Sequence, residues 1–481
     1  MLFQSIEFGI LLIAVFFAGW SAVKLPLVRK YILIIAGIVF LGYGSKILAL
    51  FLMVSSLSTW YFGRAILQST DQIVRRNLLT AGISLNLVLL LVAKTGNVSG
   101  LERLLAVSPG DPLSLTSAGG YMTYGVIFFT LQATGYLIDI YRREIVDEVP
   151  FEDVLLLVTY FPKLVAGPLV DNSRFLSGIG TALAVERIDA SRAFYFILRG
   201  LFKKVVLANY LAVRIVDPFF NSPAGFSSFD AVVAVLAFTL QLYWNLSGLF
   251  DTGRGVSLLL GFELDSNYER PFTAGSFKGF IKSFNSTYTG WLKKYVASPL
   301  RSWAGEREWI LLAFPAFLGG LWYGSGFNAL LLGAIAAAVL LIEKKLISSP
   351  LSTEDSPLST EDSPLSTRYS PLKKVLAVIY TISVVSFTLV FLRAWSVPEA
   401  FGVFEVMFSF RSSAIQTDAL LLTVVLWGFA VQFIPHGWSS LWVERLSWLH
   451  PLTQAVVIGF IVVLISSLGT GNFPNLLHFA F

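Results

Sequence analysis

Cysteine and histidine, the side chains that most often do chemistry at neutral pH, are almost missing from this sequence. The 481 residues include no cysteine and three histidines, His436, His450 and His478. Without cysteine there is no disulfide, no thiolate nucleophile and no cysteine-bound zinc or iron–sulfur site. A multi-histidine metal site would need nearly all three histidines, which crowd into the end of the chain, so none is expected. His436, in Ile434-Pro435-His436-Gly437, reads as an interfacial residue at a helix end. Ionisable residues inside apolar runs are more informative: Asp139, Asp251, Arg254 and Arg393. A charge at bilayer depth is costly, so each is expected to face protein interior, water or a membrane boundary. Gly167-Pro168 ends another apolar run and frees backbone groups that neighbours or a lined cavity must satisfy.

These residues sit in a chain that is 55% hydrophobic and 14% charged. A soluble domain has about 45–50% apolar and about 25% charged residues. The apolar residues come in blocks of roughly 15–25, enough to cross a hydrocarbon core of about 30 Å. The blocks predict an all-α, polytopic helical bundle of about 11–13 segments. They are Ile6–Val23, Tyr31–Leu41, Ile47–Tyr61, Leu78–Ala93, Tyr121–Ile140, Val154–Leu169, Phe194–Ile215, Val232–Leu249, Ile310–Trp322, Asn328–Ile342, Val375–Leu392, Leu420–Phe433 and Ala455–Ser467. The first is read as a retained span, because Met-Leu-Phe-Gln-Ser-Ile-Glu lacks the basic start of a signal peptide. The net charge of +5 fits basic cytoplasmic loops. No basic, aromatic polar domain suggests a nucleic-acid partner.

Three stretches depart from simple spans. Tyr31–Gly63 is too long for one helix, and Gly42-Tyr43-Gly44-Ser45 offers a break, so two short or re-entrant helices are expected. Lys24, Arg29, Lys30 and Arg64 flank that stretch and mark its outer ends as cytoplasmic. Tyr268–Glu308 interleaves Lys278, Lys282, Lys293 and Lys294 with aromatics at helical spacing. It reads as an amphipathic helix at the membrane surface or as a cavity-lining, re-entrant element. Ser349–Leu372 repeats Ser-Pro-Leu-Ser-Thr-Glu-Asp, and proline every seven residues predicts a disordered loop within an otherwise single membrane-embedded domain 1–481.

Ordered motifs then give a resemblance. Gly125–Tyr141 reads GVIFFTLQATGYLIDIY; Phe161–Val170 reads FPKLVAGPLV; Gly200–Leu211 reads GLFKKVVLANYL. Leu242–Pro299 holds LYWNLSGLFD, NYERPF and FIKSFNSTYTGWLKKYVASPL; Gly319–Asn328 reads GGLWYGSGFN; and Phe387–Ala400 follows. The set resembles the membrane-bound O-acyltransferase family, in the branch that O-acetylates alginate and D-alanylates teichoic acid. The third of these is close to that branch's Gly-Leu-Phe-Lys-Lys-Val, and the second to its Phe-Pro-Gln-Leu-Ile-Ala-Gly-Pro-Ile.

The resemblance implies transfer of an acetyl- or D-alanyl-type acyl group from a cytoplasmic thioester donor, acyl-CoA or an acyl-carrier protein. The acceptor would be a hydroxyl of a cell-surface polysaccharide, or a periplasmic or surface partner acyltransferase. It also implies a bacterial cytoplasmic (inner) membrane, membrane lipids as surroundings and no tightly bound cofactor. The family keeps two histidines, one in Leu-Trp-His-Gly and one in Arg-Trp-His-Ile-Ser. Histidine, with a pKa of about 6.5, suits a base that strips the acceptor hydroxyl. Here the first motif is Leu321-Trp322-Tyr323-Gly324 and the second Ser283-Phe284-Asn285-Ser286, so Tyr323 and Asn285 stand at the histidine positions. Asn245 stands where the family commonly has Asp. Gln132, Pro168, Asn245, Asp251, Lys282, Trp291 and Trp322 are the accompanying candidates for lining a cavity or substrate path. Tyrosine, with a pKa near 10, is a poor base at neutral pH, and asparagine exchanges no proton usefully. Three changes together point toward lost or much reduced transfer in a member that keeps the fold. The alternatives are an active enzyme relying on positioning, a non-catalytic scaffold, lipid-binding or acyl-passage protein, and an unrelated transporter. The transporter's mark, paired broken helices in two similar halves, is not found.

Overall fold

The computed structural model describes residues 3, 5–43, 46–95, 121–164, 167–179, 189–305, 307–323, 326–347, 371–394, 396–413, 415–435 and 437–468. Among them the regular elements are all helices, and the one β feature is an isolated antiparallel bridge between Tyr268 and Phe284. Among the described residues, five helices are long and apolar enough to cross a membrane: Lys46–Gln68, Gln72–Ala93, Ser228–Leu259, Phe327–Lys345 and Pro371–Arg393. Shorter apolar helices include Ile6–Ser21, Gly125–Tyr141, Trp309–Trp322, Ala419–Phe433 and Leu452–Ile465. On Ile6–Ser21, Ile6, Ile10, Ile13 and Phe17 are exposed at helical spacing, an outward apolar stripe suited to lipid rather than water. The architecture is therefore the all-α polytopic membrane protein that the apolar blocks predicted.

Contacts divide the chain into two compact units. The first comprises Met1–Asn209, Tyr243–Asp265 and His436–Phe481, and the second Tyr210–Leu242 and Ser266–Pro435. The 32-residue helix Ser228–Leu259 contributes to both.

In the first unit, the Tyr31–Gly63 stretch is broken where its glycines suggested, between helices Pro26–Gly42 and Lys46–Gln68. The second of these is not short. It runs 23 residues, past Gly63 and on to Gln68, so the expectation of two short helices is corrected. Gly63 packs inside the helix, where an added Cβ would sit 3.0 Å from Ile140. Polar side chains join this helix to its neighbour: Ser55 donates to Asn86 Oδ1 at 2.5 Å, and Asn86 Nδ2 donates back to Thr59 Oγ1 at 3.5 Å. Val154–Leu169 is also corrected, because it is not one span. Helix Phe151–Thr159 stops at Tyr160, whose ψ of 100° leaves the helical region, and a single turn Phe161–Leu164 follows. Pro162 brings no N–H to continue the earlier ladder.

Also in this unit, helix Ala190–Leu201 runs into a π turn, Phe202–Ala208, and lies against the 243–259 part of Ser228–Leu259. The crossing needs glycine on both sides. A Cβ on Gly200 would meet Gly248 O at 2.4 Å, and one on Gly248 would meet Gly200 O at 2.7 Å. Bare backbones thus approach as small-residue membrane interfaces do.

In the second unit, Glu308–Tyr323 and Gly326–Ile347 form a tight pair. A Cβ on Gly320 would lie 2.3 Å from Gly333 N. A Cβ on the preceding Gly319 would meet open space. The Tyr268–Glu308 region, read as an amphipathic surface helix or a cavity-lining, re-entrant element, is not one continuous helix. It is a succession of Phe277–Ser283, Ser286–Trp291, a π turn Leu292–Ala297 and Ser298–Ala304. Its aromatic face is buried against protein: Phe272, Phe277, Phe280, Phe284 and Tyr288 are all buried, while Lys278, Lys282 and Lys293 are exposed. The chain breaks at Asn285, which adopts φ 111° and ψ 57°, a region that asparagine tolerates better than most residues. The repeat loop 349–370 lies outside the described residues. Pro371 and Leu372, read as its end, instead open helix Pro371–Arg393, with proline at a first-turn position where its missing N–H costs nothing.

Candidate functional site

The two positions of the family histidines fall in the second unit. Asn285 is buried and sits on the turn between Phe277–Ser283 and Ser286–Trp291. The turn is held from both sides. Asn285 and Ser286 donate their backbone N–H groups to Asn267 O at 3.0 and 2.9 Å. The Asn267 side chain accepts from Thr287 N at 2.9 Å and from Thr287 Oγ1 at 2.8 Å. One turn on, Thr289 donates to Asn285 O through its N–H at 3.0 Å and through its hydroxyl at 3.2 Å. The unusual backbone angle at Asn285 is thus over-determined by neighbours, the condition under which such strain persists.

Tyr323 ends helix Glu308–Tyr323, and its side chain lies outside what the structure describes. The residue before it is well placed. Trp322 is buried and stacks on Tyr288, ring centroids 4.2 Å apart at 29°, while Tyr288 Oη donates to Leu318 O at 3.3 Å. That packing brings the Ser-Phe-Asn-Ser turn and the Leu-Trp-Tyr segment together. An aromatic pair of this kind contributes about 0.5–1.5 kcal/mol beyond its burial. Trp291 lies further along, half-buried, its ring 5.2 Å from that of Tyr295. Lys282 is exposed on the opposite side of its helix from buried Phe280.

The other candidates fall in the first unit, in two clusters. Asp251 accepts a forked pair of hydrogen bonds from Arg199, at 2.9 Å from Nε and 2.5 Å from Nη2, and one from Lys203 at 2.7 Å. One turn and a half before it, Asn245 accepts from Lys204 Nζ at 2.6 Å, both side chains being buried. The π turn, with its i→i+5 register, lets Lys204 face the same helix as Arg199, five residues earlier. The polar expectation for Asp251 is met: a buried carboxylate is held by two cations.

Gln132 and Pro168 line one crevice with Phe128, Phe129, Lys163 and Leu169. Its polarity is fixed from Asp139. Asp139 Oδ2 accepts from Asn172 Nδ2 at 2.7 Å, so Asn172 Oδ1 accepts from Gln132 Nε2 at 2.5 Å. Gln132 Oε1 and Lys163 Nζ are left buried with no hydrogen-bond partner among the described residues. Lys163 Nζ lies 4.8 Å from the centre of the Phe175 ring. Asp139 and Arg393 thus both find interior partners, the latter Asp217 at 2.9 Å in the second unit.

Lys163, Asn172, Arg199, Lys203 and Lys204 are site residues that the sequence reading did not single out. A lysine inside FPKLVAGPLV and the lysine pair of GLFKKVVL were the available signals. His450 is exposed and accepts from Leu452 N at 3.4 Å at the start of the last helix; His436 and His478 lie outside the described residues.

A helical membrane bundle that buries ion pairs and amide chains, and that packs two polar motifs through an aromatic stack, is a membrane-embedded protein built to hold polar chemistry. Residues 113–348 match the family described as MBOAT, membrane-bound O-acyltransferase family. It is 27% identical over 358 residues to a probable alginate O-acetylase, AlgI, of Pseudomonas putida, covering 72% of this chain and 71% of that protein. It is 26% identical over 381 residues to a peptidoglycan O-acetyltransferase of Helicobacter pylori, covering 72% and 70%. It is 19% identical over 233 residues to a teichoic acid D-alanyltransferase of Bacillus subtilis, covering 45% and 57%.

Proposed function

We propose that this protein moves an acetyl- or D-alanyl-type group from a cytoplasmic acyl thioester to a hydroxyl of a cell-envelope polysaccharide, directly or through a partner acyltransferase. The donor is an acyl-CoA or acyl-carrier protein, and the setting a bacterial cytoplasmic membrane. The family match supports acyl transfer to oxygen. The observation that carries the assignment to this region is the Tyr288–Trp322 stack, which packs the Asn285 turn beside the segment ending in Tyr323.

Neither position holds a group that takes a proton readily at neutral pH. A thioester is already activated, so holding donor and acceptor in register still accelerates the reaction. Asn285 and Tyr323 serve as hydrogen-bonding groups that orient the reactants. The missing base lowers the rate by about 10²–10⁴-fold relative to a histidine-bearing site.

The test is transfer from radiolabelled acetyl-CoA, or D-alanyl-loaded carrier protein, to a polysaccharide acceptor by purified protein in lipid nanodiscs. Slow transfer that rises at least tenfold in the Tyr323→His, Asn285→His double variant supports the reading. No transfer by either form makes the chain a non-catalytic member serving as scaffold or acyl passage.

A further inference from the structure

The narrow crevice of the first unit is lined by both side chains whose polar atoms are buried there without a hydrogen-bond partner among the described residues, Gln132 and Lys163. The two atoms are of opposite sense: Gln132 Oε1 only accepts, and Lys163 Nζ donates whether or not it is charged. Each side chain is 4% exposed, so bulk water does not replace the missing partner. A buried polar atom left in this state has lost the hydrogen bonds it made in the unfolded chain, and the fold carries the cost.

The Gln132 amide is fixed in its orientation. Its Nε2 donates to Asn172 Oδ1 at 2.5 Å and to Val170 O at 3.1 Å, which uses both of its hydrogens. Asn172 is fixed in turn, because its Nδ2 donates to Asp139 Oδ2 at 2.7 Å. Flipping Gln132 would set its oxygen against two other oxygens. Asp139, Asn172 and Gln132 therefore align head to tail, and such a chain makes its last oxygen a stronger acceptor than that of a lone amide. That last oxygen is the open one.

Apart from Gln132 and Lys163 the lining is apolar and includes Phe128, Phe129, Leu164 and Leu169. What completes the crevice is a small group that accepts from Nζ and donates to Oε1, carried on a body that tolerates apolar walls. A hydroxyl is the smallest group with both capacities; an ionised carboxylate accepts only, and an ammonium donates only. A sugar would bring several hydroxyls to two partners and leave the others unpaired.

The level of the crevice points to a lipid as the carrier. Lys163 Nζ lies 4.8 Å from the centre of the Phe175 ring, which stacks on Phe262 with centroids 5.6 Å apart. The Arg29 guanidinium lies 5.7 Å from the centre of that second ring, and Arg174, beside Phe175, forms an exposed pair with Asp265. Arg29 belongs to the basic group that marks a cytoplasmic membrane boundary, the level at which lipid headgroups lie.

We infer that the crevice between Gln132 and Lys163 binds the hydroxyl-bearing headgroup of a membrane lipid. The hydroxyl oxygen accepts from Lys163 Nζ, its hydrogen goes to Gln132 Oε1, and the acyl chains stay in the bilayer. Every residue of this site belongs to the first unit, so nothing in it depends on the Asn285 turn or on acyl transfer.

The probe is phosphatidylglycerol, whose headgroup ends in a diol. The control is phosphatidylmethanol, which has the same phosphate and charge but no hydroxyl. Each is titrated into the purified full-length chain in detergent, and native mass spectrometry counts the lipid retained. Phosphatidylglycerol should be held at least tenfold more tightly. Lys163→Met, which keeps the length of the side chain and removes its donor, should abolish that difference, and Lys163→Gln, which supplies an amide donor, should recover part of it. Phosphatidylglycerol should also raise the melting temperature of the parent but not of Lys163→Met. Without lipid, Lys163→Met should melt no lower than the parent, because it loses no hydrogen bond within the protein. Equal retention of the two lipids, or a Lys163→Met variant indistinguishable from the parent, overturns the site. So does a lower melting temperature of lipid-free Lys163→Met, which would mean that Lys163 is already partnered inside the protein. Displacement of phosphatidylglycerol by free glycerol, again dependent on Lys163, makes the crevice a site for soluble polyols and overturns the lipid assignment.

Discussion

The Asn285 turn and the Asp251 cluster solve opposite problems. The turn is built from neutral groups: backbone amides, the Asn267 side chain and a Tyr288–Trp322 stack. Its order comes from geometry, with one residue at φ 111° held by hydrogen bonds on either side. The Asp251 cluster is built from charge, and its order comes from the cost of leaving any one of its members unpaired. A neutral site degrades gradually when a contact is lost, whereas a buried charged one fails abruptly.

The contrast sets an order of effects. Asp251→Ala should be the most damaging change, because it leaves Arg199 and Lys203 without their carboxylate; thermal unfolding in detergent should show a loss of about 3 kcal/mol or more. A loss under 1 kcal/mol would mean that the cluster is solvated and that the contrast fails. Gly320→Ala should follow, at about 1–3 kcal/mol, since its methyl meets backbone atoms of Gly333 that cannot yield. Asn285→Ala should cost about 1–2 kcal/mol through backbone strain alone. Asn285→Gly should restore that stability yet lower transfer, separating the turn's conformation from its side chain. If both variants transfer acyl groups as the parent does, the Asn285 side chain takes no part.

The smallest effect is expected at a surface pair, Arg214 with Asp418. The Asp418 carboxyl caps helix Ala419–Ala430, and the Leu421 N–H, with help from Arg214, holds its pKa below the ordinary carboxylate value. A depressed carboxylate contributes stability that is fully present above its ordinary pKa and is lost as pH falls through the folded value. Arg214→Gln should shift the melting temperature by no more than its experimental error at pH 7, because exposed pairs contribute little. A clear drop would show that surface and buried pairs do not differ in the way proposed.

Much of this was legible in the sequence, and the exceptions have physical reasons. Apolar blocks gave the bundle, and Gly42-Tyr43-Gly44-Ser45 gave the break between two helices, because both are local signals. The interruption at Tyr160 and the division of 268–308 into short helices were not legible. In both, tertiary packing overrides a continuous apolar or amphipathic pattern: Phe161 packs against the distant rings of Phe8 and Phe40, and Phe272, which packs on Phe280, meets the distant ring of Phe429. For the candidate site, family motifs pointed to Asn285 and Tyr323, and the cost of a charge at bilayer depth foretold that Asp139 and Asp251 would face protein interior, water or a membrane boundary. Which partners they would find was hidden, since Arg199 lies 52 positions from Asp251 and Asn172 lies 33 from Asp139. Lys163 was not legible because a lysine beside an apolar run usually reaches the membrane boundary; only the fold shows its Nζ buried and without a hydrogen-bond partner among the described residues.

The most direct test of the account is a single-turnover assay of the purified protein in nanodiscs, with acyl thioester labelled on the acyl carbon and a polysaccharide acceptor. The account predicts slow appearance of label in a hydroxylamine-sensitive ester, accelerated at least tenfold by the Tyr323→His, Asn285→His pair. Label that never leaves the thioester, in the parent and in the double variant alike while both remain folded, would contradict it.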